Sequence, residues 1–312
     1  MKKIICISLG LIFLVALSVS APQAHEKPAA KPPFWAALGA GKYAVVFRIL
    51  YMRDHKRKWL AAPSASPDPG RPIRISLWYP AEPSPSAQPM KDGDYLHHDG
   101  PADFRDFNAK LDKSDTDSWL SDLQDLSPRG DAIFAEVLAL PAAAYRDAPF
   151  APGRFPLVLF SGGKASRADA NVELAEYLAS HGYVVATVPQ LGPSDQQLDL
   201  GSSPKEISLH ADDYDAAFAF LHSIPEIDFA HVATAGHSAG GEVAVELALR
   251  HPEVTAVVGL DASYGISGGR RVLVQLPEYA AGRRVHAALL DLRRGNGSQG
   301  AKLDLTVIDA LH

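Results

Sequence analysis

The sequence predicts an α/β domain built on a mostly parallel sheet with helices on both faces. Three observations carry this. From Phe155 onward, short apolar runs alternate with stretches of helical periodicity, as parallel strands buried on both faces require. One of those runs, His231 to Ala235, leads through Gly236-His237-Ser238-Ala239-Gly240 straight into a helical stretch. The 312 residues, 47% hydrophobic and 21% charged, are also enough chain for one large core.

In chain order, Met1-Lys2-Lys3 precedes an uncharged apolar run from Ile4 to about Ser20 and then Ala21-Pro22-Gln23-Ala24. A basic start, an apolar stretch and small residues after it predict a secretory signal peptide over 1–24, with cleavage after Ala21 or Ala24 both open. The run is shorter than the ~20 residues a spanning helix needs, so export without further membrane attachment is expected. The only cysteine, Cys6, lies inside this segment. The mature chain would hold no disulfide, no cysteine-bound zinc and no thiol nucleophile, which suits a periplasmic or secreted protein.

Residues 25–42, rich in Pro, Ala and Lys, read as a linker into a domain spanning 43–312. Tyr43–Leu50 has strand composition, and Ile73–Tyr79 alternates until Pro80. These two strands open the sheet as an antiparallel pair. Between them, Arg53-Asp54-His55-Lys56-Arg57-Lys58 is short and interrupted by an acid, a solvated turn rather than a phosphate-binding surface. With a net charge of −6, nothing suggests a nucleic-acid partner. Residues 83–150 break the rhythm: they are polar, with helical character only around 117–123 and 132–140. They are expected to be an inserted region before the third strand, either a lid or a surface embellishment.

The regular part then supplies strands at Phe155–Phe160, Tyr183–Val188, the elbow strand, Val254–Leu260 and Val285–Leu292. Helices fall around Val172–Ala179, from about Pro204 to Leu221, and after the elbow. Leu303–Leu311 fits strand or helix.

The chemistry concentrates at the elbow. A serine on a sharp strand-to-helix turn exposes its hydroxyl, and glycines two residues away on each side remove side chains that would collide there. The following helix presents its free N–H groups to a developing oxyanion, and Ala239 N–H, directly after Ser238, is one donor. Such a serine needs a base and an acid to orient it. Two carboxylates qualify, Asp261 after one apolar strand and Asp291 near the end of the next.

Five segments together resemble the platelet-activating-factor acetylhydrolase-like branch of the α/β-hydrolases, with dienelactone-hydrolase-like enzymes as near neighbours. They are Ser76-Leu77-Trp78-Tyr79-Pro80-Ala81, Phe155–Ser161, Leu178-Ala179-Ser180-His181-Gly182-Tyr183-Val184-Val185, Gly236–Gly241 and Gly259-Leu260-Asp261-Ala262. The resemblance runs from about 43 to 262 outside the insertion. It implies a serine hydrolase of carboxylic esters, with short acyl chains, a small-molecule ester as partner and no cofactor or metal. It favours Asp261 over Asp291 as the acid. It also places an oxyanion donor in the loop after Phe160. There Ser161-Gly162-Gly163-Lys164-Ala165 replaces the family's Ser-His-Gly-x-Gly, and the matching N–H belongs to Lys164.

The base is the open position. His251 closes the elbow helix before Pro252, and His286 lies in an apolar strand, its side chain in the core or against a helix. His312 follows a late element and is the remaining candidate. The resembled family carries its histidine on a loop past a final strand, followed by Gly or Phe and an Asp. No such segment is present, so a C-terminally truncated domain is expected. His237 should point away from the hydroxyl, while His97-His98, and His210 with Asp212 and Asp213, read as solvated positions rather than metal ligands. A dienelactone-type or polyester-cleaving enzyme, and a non-catalytic binding protein of the same fold, are the alternatives.

Overall fold

The computed structural model describes residues 32, 35, 37–62, 67–82, 87–146, 148–201, 203–294 and 303–307. The signal-peptide segment 1–24, Cys6 and His312 lie outside these.

The described strands form one ten-stranded sheet. They are β1 (Ala44–Asp54), β2 (Arg71–Ala81), β3 (Gln88–Lys91), β4 (Pro141–Arg146), β5 (Phe155–Ser161), β6 (Val184–Thr187), β7 (Ile227–His237), β8 (Val254–Leu260), β9 (Ala288–Arg294) and β10 (Leu303–Val307). Their order is β10-β9-β8-β7-β5-β6-β2-β1-β4-β3. The five strands β6, β5, β7, β8 and β9 run parallel as a block. The opening pair β1 and β2 is antiparallel, as is β2 with β6.

Helices cover both faces. On one, α4 (Pro204–Leu221) and α5 (Gly240–Arg250) pack Ile207, Tyr214, Phe218, Val243 and Leu247 against Ile75, Leu77, Leu157 and Leu159. On the other, α3 (Val172–Ser180) packs Val172, Ala175 and Ala179 with Trp78, Val158 and Phe160. This is the α/β-hydrolase fold.

The 83–150 region is woven into that fold. It adds β3 and β4 to the sheet, β4 parallel to β1, and carries α1 (Arg105–Leu126) and α2 (Gly130–Leu138). Its presence explains why β2 is buried along its whole length although the sequence alternates. Arg74, on the polar side of that alternation, is fully buried and bonds to Asp112 of α1 at 2.8 Å.

Several polar residues differ from the expected solvated positions. His98 is buried, with Nδ1 2.7 Å from Asp112 Oδ1. Asp213 is buried and receives two 2.6 Å bonds from the equally buried Arg71, with Arg57 at 2.8 Å. His210 is enclosed beside Tyr214, and burial pushes its pKa down to about 3. The supposed basic turn is partly strand, since β1 continues to Asp54, and Asp54 in turn holds Arg57 at 2.6 Å.

Candidate active site

The elbow is strained at the serine. β7 ends at His237, Ser238 adopts φ +51°, and α5 starts at Gly240. A residue other than glycine rarely holds that backbone conformation, and such strain persists only where the surroundings enforce it. Here the surroundings are the next strand's loop. Ser238 N–H donates to Leu260 O at 3.0 Å, and Ser238 C=O accepts from Ser263 N–H at 2.9 Å. The two motif glycines are sterically required. A Cβ on Gly236 would lie 2.0 Å from Gly240 O, and one on Gly240 would lie 2.1 Å from Ser161 O.

The loop after β5 is pressed against this turn. A Cβ on Gly163 would stand 3.2 Å from Ser238 Cβ and 3.1 Å from His237 Nδ1. Gln190 fixes the loop from behind, with Nε2 donating to Gly162 O at 3.1 Å and to Gly163 O at 2.8 Å. In a planar trans peptide the carbonyl and the following N–H point in opposite directions. Holding Gly163 O toward Gln190 therefore turns Lys164 N–H away from Gln190. Ala165, at φ +59°, then bends the chain back, and the Lys164 ammonium pairs with Asp199. Ala239 is the N-cap of α5, so its N–H lies at the positive end of that helix.

The two candidate acids are in different surroundings. Asp261 is exposed on the turn after β8, at φ +47°, with its N–H bonded to Leu292 O at 2.8 Å. Asp291 lies inside β9 opposite Gly259, fully buried and ion-paired with Arg293. Burial raises the Asp291 pKa, and the nearby Asp261 adds to the shift.

The described histidines downstream of the serine, His251 and His286, do not gather here. His251 caps α5 at its far end, with Nε2 2.7 Å from Asp215. His286 precedes β9 and is exposed, contrary to the expected place in the core or against a helix, because the strand starts only at Ala288. His237 is exposed beside Gly163. Among the described residues, no histidine is hydrogen-bonded to Ser238.

Two residues of this region escape the sequence reading. Gln190 is one, and its signal is position: it follows β6 at the carboxyl end of a parallel strand, where α/β sheets place ligands. Glu242, in the first turn of α5, is the other. Its side chain is fully buried and neither carboxylate oxygen has a partner, and burial lifts its pKa to about 7. Among the described residues no cluster of His, Cys, Asp and Glu could hold a metal ion. None of their helices is long and apolar enough to cross a membrane.

Sheet order, elbow and helix arrangement define the α/β-hydrolase fold. A chlorophyllase family model matches residues 135–281, a stretch that holds the elbow, Gln190 and Asp261. Among solved structures, a ferulic acid esterase from Streptomyces cinnamoneus is 22% identical, covering 83% of this chain and 76% of its own, at a TM-score of 0.53. A dienelactone hydrolase-like promiscuous phosphotriesterase, P91, from metagenomic libraries is 15% identical over 82% of this chain and 71% of its own, at 0.41. A bacterial heroin esterase is 15% identical over 73% and 47%, at 0.37. The first likeness, at this identity, is one of fold. No curated protein matches the chain.

Proposed function

We propose that the chain is a serine hydrolase of carboxylic esters working through an acyl-Ser238 intermediate. The single observation that carries this is the Ser238 backbone at φ +51°, enforced by Gly236 and Gly240 and faced by the Gly163 loop. A binding module gains nothing from that strain, whereas a nucleophile gains an exposed hydroxyl beside helix N–H donors.

Ser238 Oγ attacks the ester carbonyl as its proton passes to a histidine base. We assign the base to His312 from its place after the last apolar element of the sequence; His251 is held by Asp215 at the opposite end of α5. Asp261 is the orienting acid, being exposed beside the elbow where Asp291 is buried under Gly259 and tied to Arg293. Lys164 and Ala239 N–H groups hold the oxyanion. Collapse expels the alcohol, which takes the proton back from the base, and water then releases the acid by the same steps. Short acyl esters are the expected substrates, and the segment 1–24 sends the chain to the periplasm or outside the cell. No metal or organic cofactor takes part in this scheme.

Hydrolysis of methyl and p-nitrophenyl esters by the full chain tests the reading. Ser238→Ala should lower kcat by about 10³-fold or more, and His312→Ala should fall comparably. Equal rates for parent and Ser238→Ala would refute it.

A further inference from the structure

The loop between β5 and α3, residues 162–171, carries the proposed oxyanion donor at Lys164. Its first half is a closed turn. Ser166 N–H donates to Gly163 O at 3.1 Å, and a Cβ on Gly162 would stand 2.8 Å from Ser166 Cβ. Arg167 is the next residue and ends that turn. A second one, closed by Ala170 N–H to Arg167 O at 3.2 Å, leads on into α3.

The Arg167 side chain leaves this loop and lies on the inserted region. Its guanidinium stacks over the Trp119 ring of α1, 4.1 Å from the ring centre. Nη1 is buried without an acceptor, so the indole face stands where an anion would otherwise be needed. Burial lowers the Arg167 pKa, and the carboxylates of Asp169, Asp115, Glu173 and Asp92 oppose that shift. A desolvated guanidinium gains more from an aromatic face than an exposed one does. Trp119 is itself backed by Phe134 of α2, edge-on at 5.4 Å.

Helix α1 is in turn tied to the sheet. Asp112 accepts from Arg74 of β2 at 2.8 Å, and Asn108 Nδ2 donates to Tyr51 Oη of β1 at 2.8 Å. A continuous set of contacts therefore runs from β1 and β2 through α1 and Trp119 to Arg167, four residues after Gly163. Gln190 holds the turn at Gly162 and Gly163, and Trp119 holds its exit. A lid that swings on this hinge would have to break the bond of the buried Arg74 to Asp112 at each opening, and separating such a pair is costly.

We propose that Arg167 and Trp119 are positioning residues for the Ser238 reaction. Stacked together they hold the turn that presents Lys164 N–H, and the 83–150 region is a fixed support of that loop rather than a lid. The proposal rests on the serine-hydrolase reading above. It assigns the pair an effect on the transition state, where the oxyanion forms, and little on the bound ester.

A double-mutant cycle on p-nitrophenyl acetate hydrolysis by the full chain tests it. Trp119→Leu removes the aromatic face, and Arg167→Met removes the charge at similar length. Each should lower kcat about tenfold with KM changed less than threefold. The double variant should also lose about tenfold rather than about 100-fold, because one contact is being removed twice. Trp119→Phe keeps a ring face and should stay within about threefold of the parent. Inhibition by phenylboronate, whose tetrahedral serine adduct places an oxygen among the oxyanion donors, should weaken by the same factor as kcat. Should Trp119→Leu not fold, Arg167→Met and Trp119→Phe carry the same comparison through kcat and phenylboronate. Unchanged kcat in folded variants, additive losses, or a KM rise with kcat intact overturns the proposal and leaves the hydrolase reading standing. A parent chain that hydrolyses no ester overturns both.

Discussion

Gln190 holds Gly163. Its Nε2 donates to Gly163 O at 2.8 Å, and that glycine is packed against Ser238. Through peptide planarity this one bond sets the direction of Lys164 N–H, so a residue distant in sequence from the elbow controls half of its proposed oxyanion hole. Gln190→Met keeps the length of the side chain and removes the donor. Loss of a complete oxyanion donor costs about 10²–10³ in kcat. A misdirected donor should cost about 10–100-fold, with KM changed less than threefold. A KM rise with kcat intact would show that Gln190 only shapes the pocket.

Gly240 has no room for a side chain. A Cβ there would meet Ser161 O at 2.1 Å and Gly162 O at 2.5 Å, main-chain atoms at the end of β5 and the start of the loop that follows it. Gly240→Ala must push β5 and α5 apart, and overpacking of this kind costs about 1–3 kcal/mol. Urea unfolding should show a lower midpoint at unchanged slope, together with loss of esterase activity out of proportion to stability.

Glu242 makes stability depend on pH. Its carboxyl is pushed up to about 7 in the fold from the ordinary 4.5, because it is buried and unpartnered. Between these values the folded state binds more protons than the unfolded state, so stability falls as pH rises from about 4.5 to 7. Glu176 and Glu246 are lifted to about 7 by burial and act in the same direction. Glu242→Gln removes one contribution. The variant should match the parent near pH 4.5 and exceed it above pH 7, by up to about 3 kcal/mol. A constant difference across that range in urea titrations would contradict the assignment.

The central sheet and the elbow were legible because apolar burial on both faces leaves a direct mark on sequence. The helix read from about Pro204 to Leu221 is α4 with those bounds, and the glycine spacing around Ser238 anticipated the steric contacts at Gly236 and Gly240. The 83–150 region was harder. Its 22-residue α1 is mostly polar, and it is anchored through ionic groups such as Asp112 to Arg74 rather than through an apolar stripe. Polar side chains in a core are decoded only by partners far away in the chain. Asp213 and Arg71 are separated by 142 positions, and neither shows alone that the other neutralises it. The same reasoning explains Gln190, whose role exists only once β5 and β6 lie side by side. The candidate base is different, because His312 lies outside the described residues.

The nucleophile itself is the most direct point of attack on the account. The full-length chain should be treated with a fluorophosphonate, digested and mapped by mass spectrometry. The account predicts a single adduct on Ser238, absent from Ser238→Ala and slowed in Gln190→Met. A folded protein that takes up no label at Ser238, or takes it up equally at other serines, would contradict the claim that this strained turn carries an activated hydroxyl.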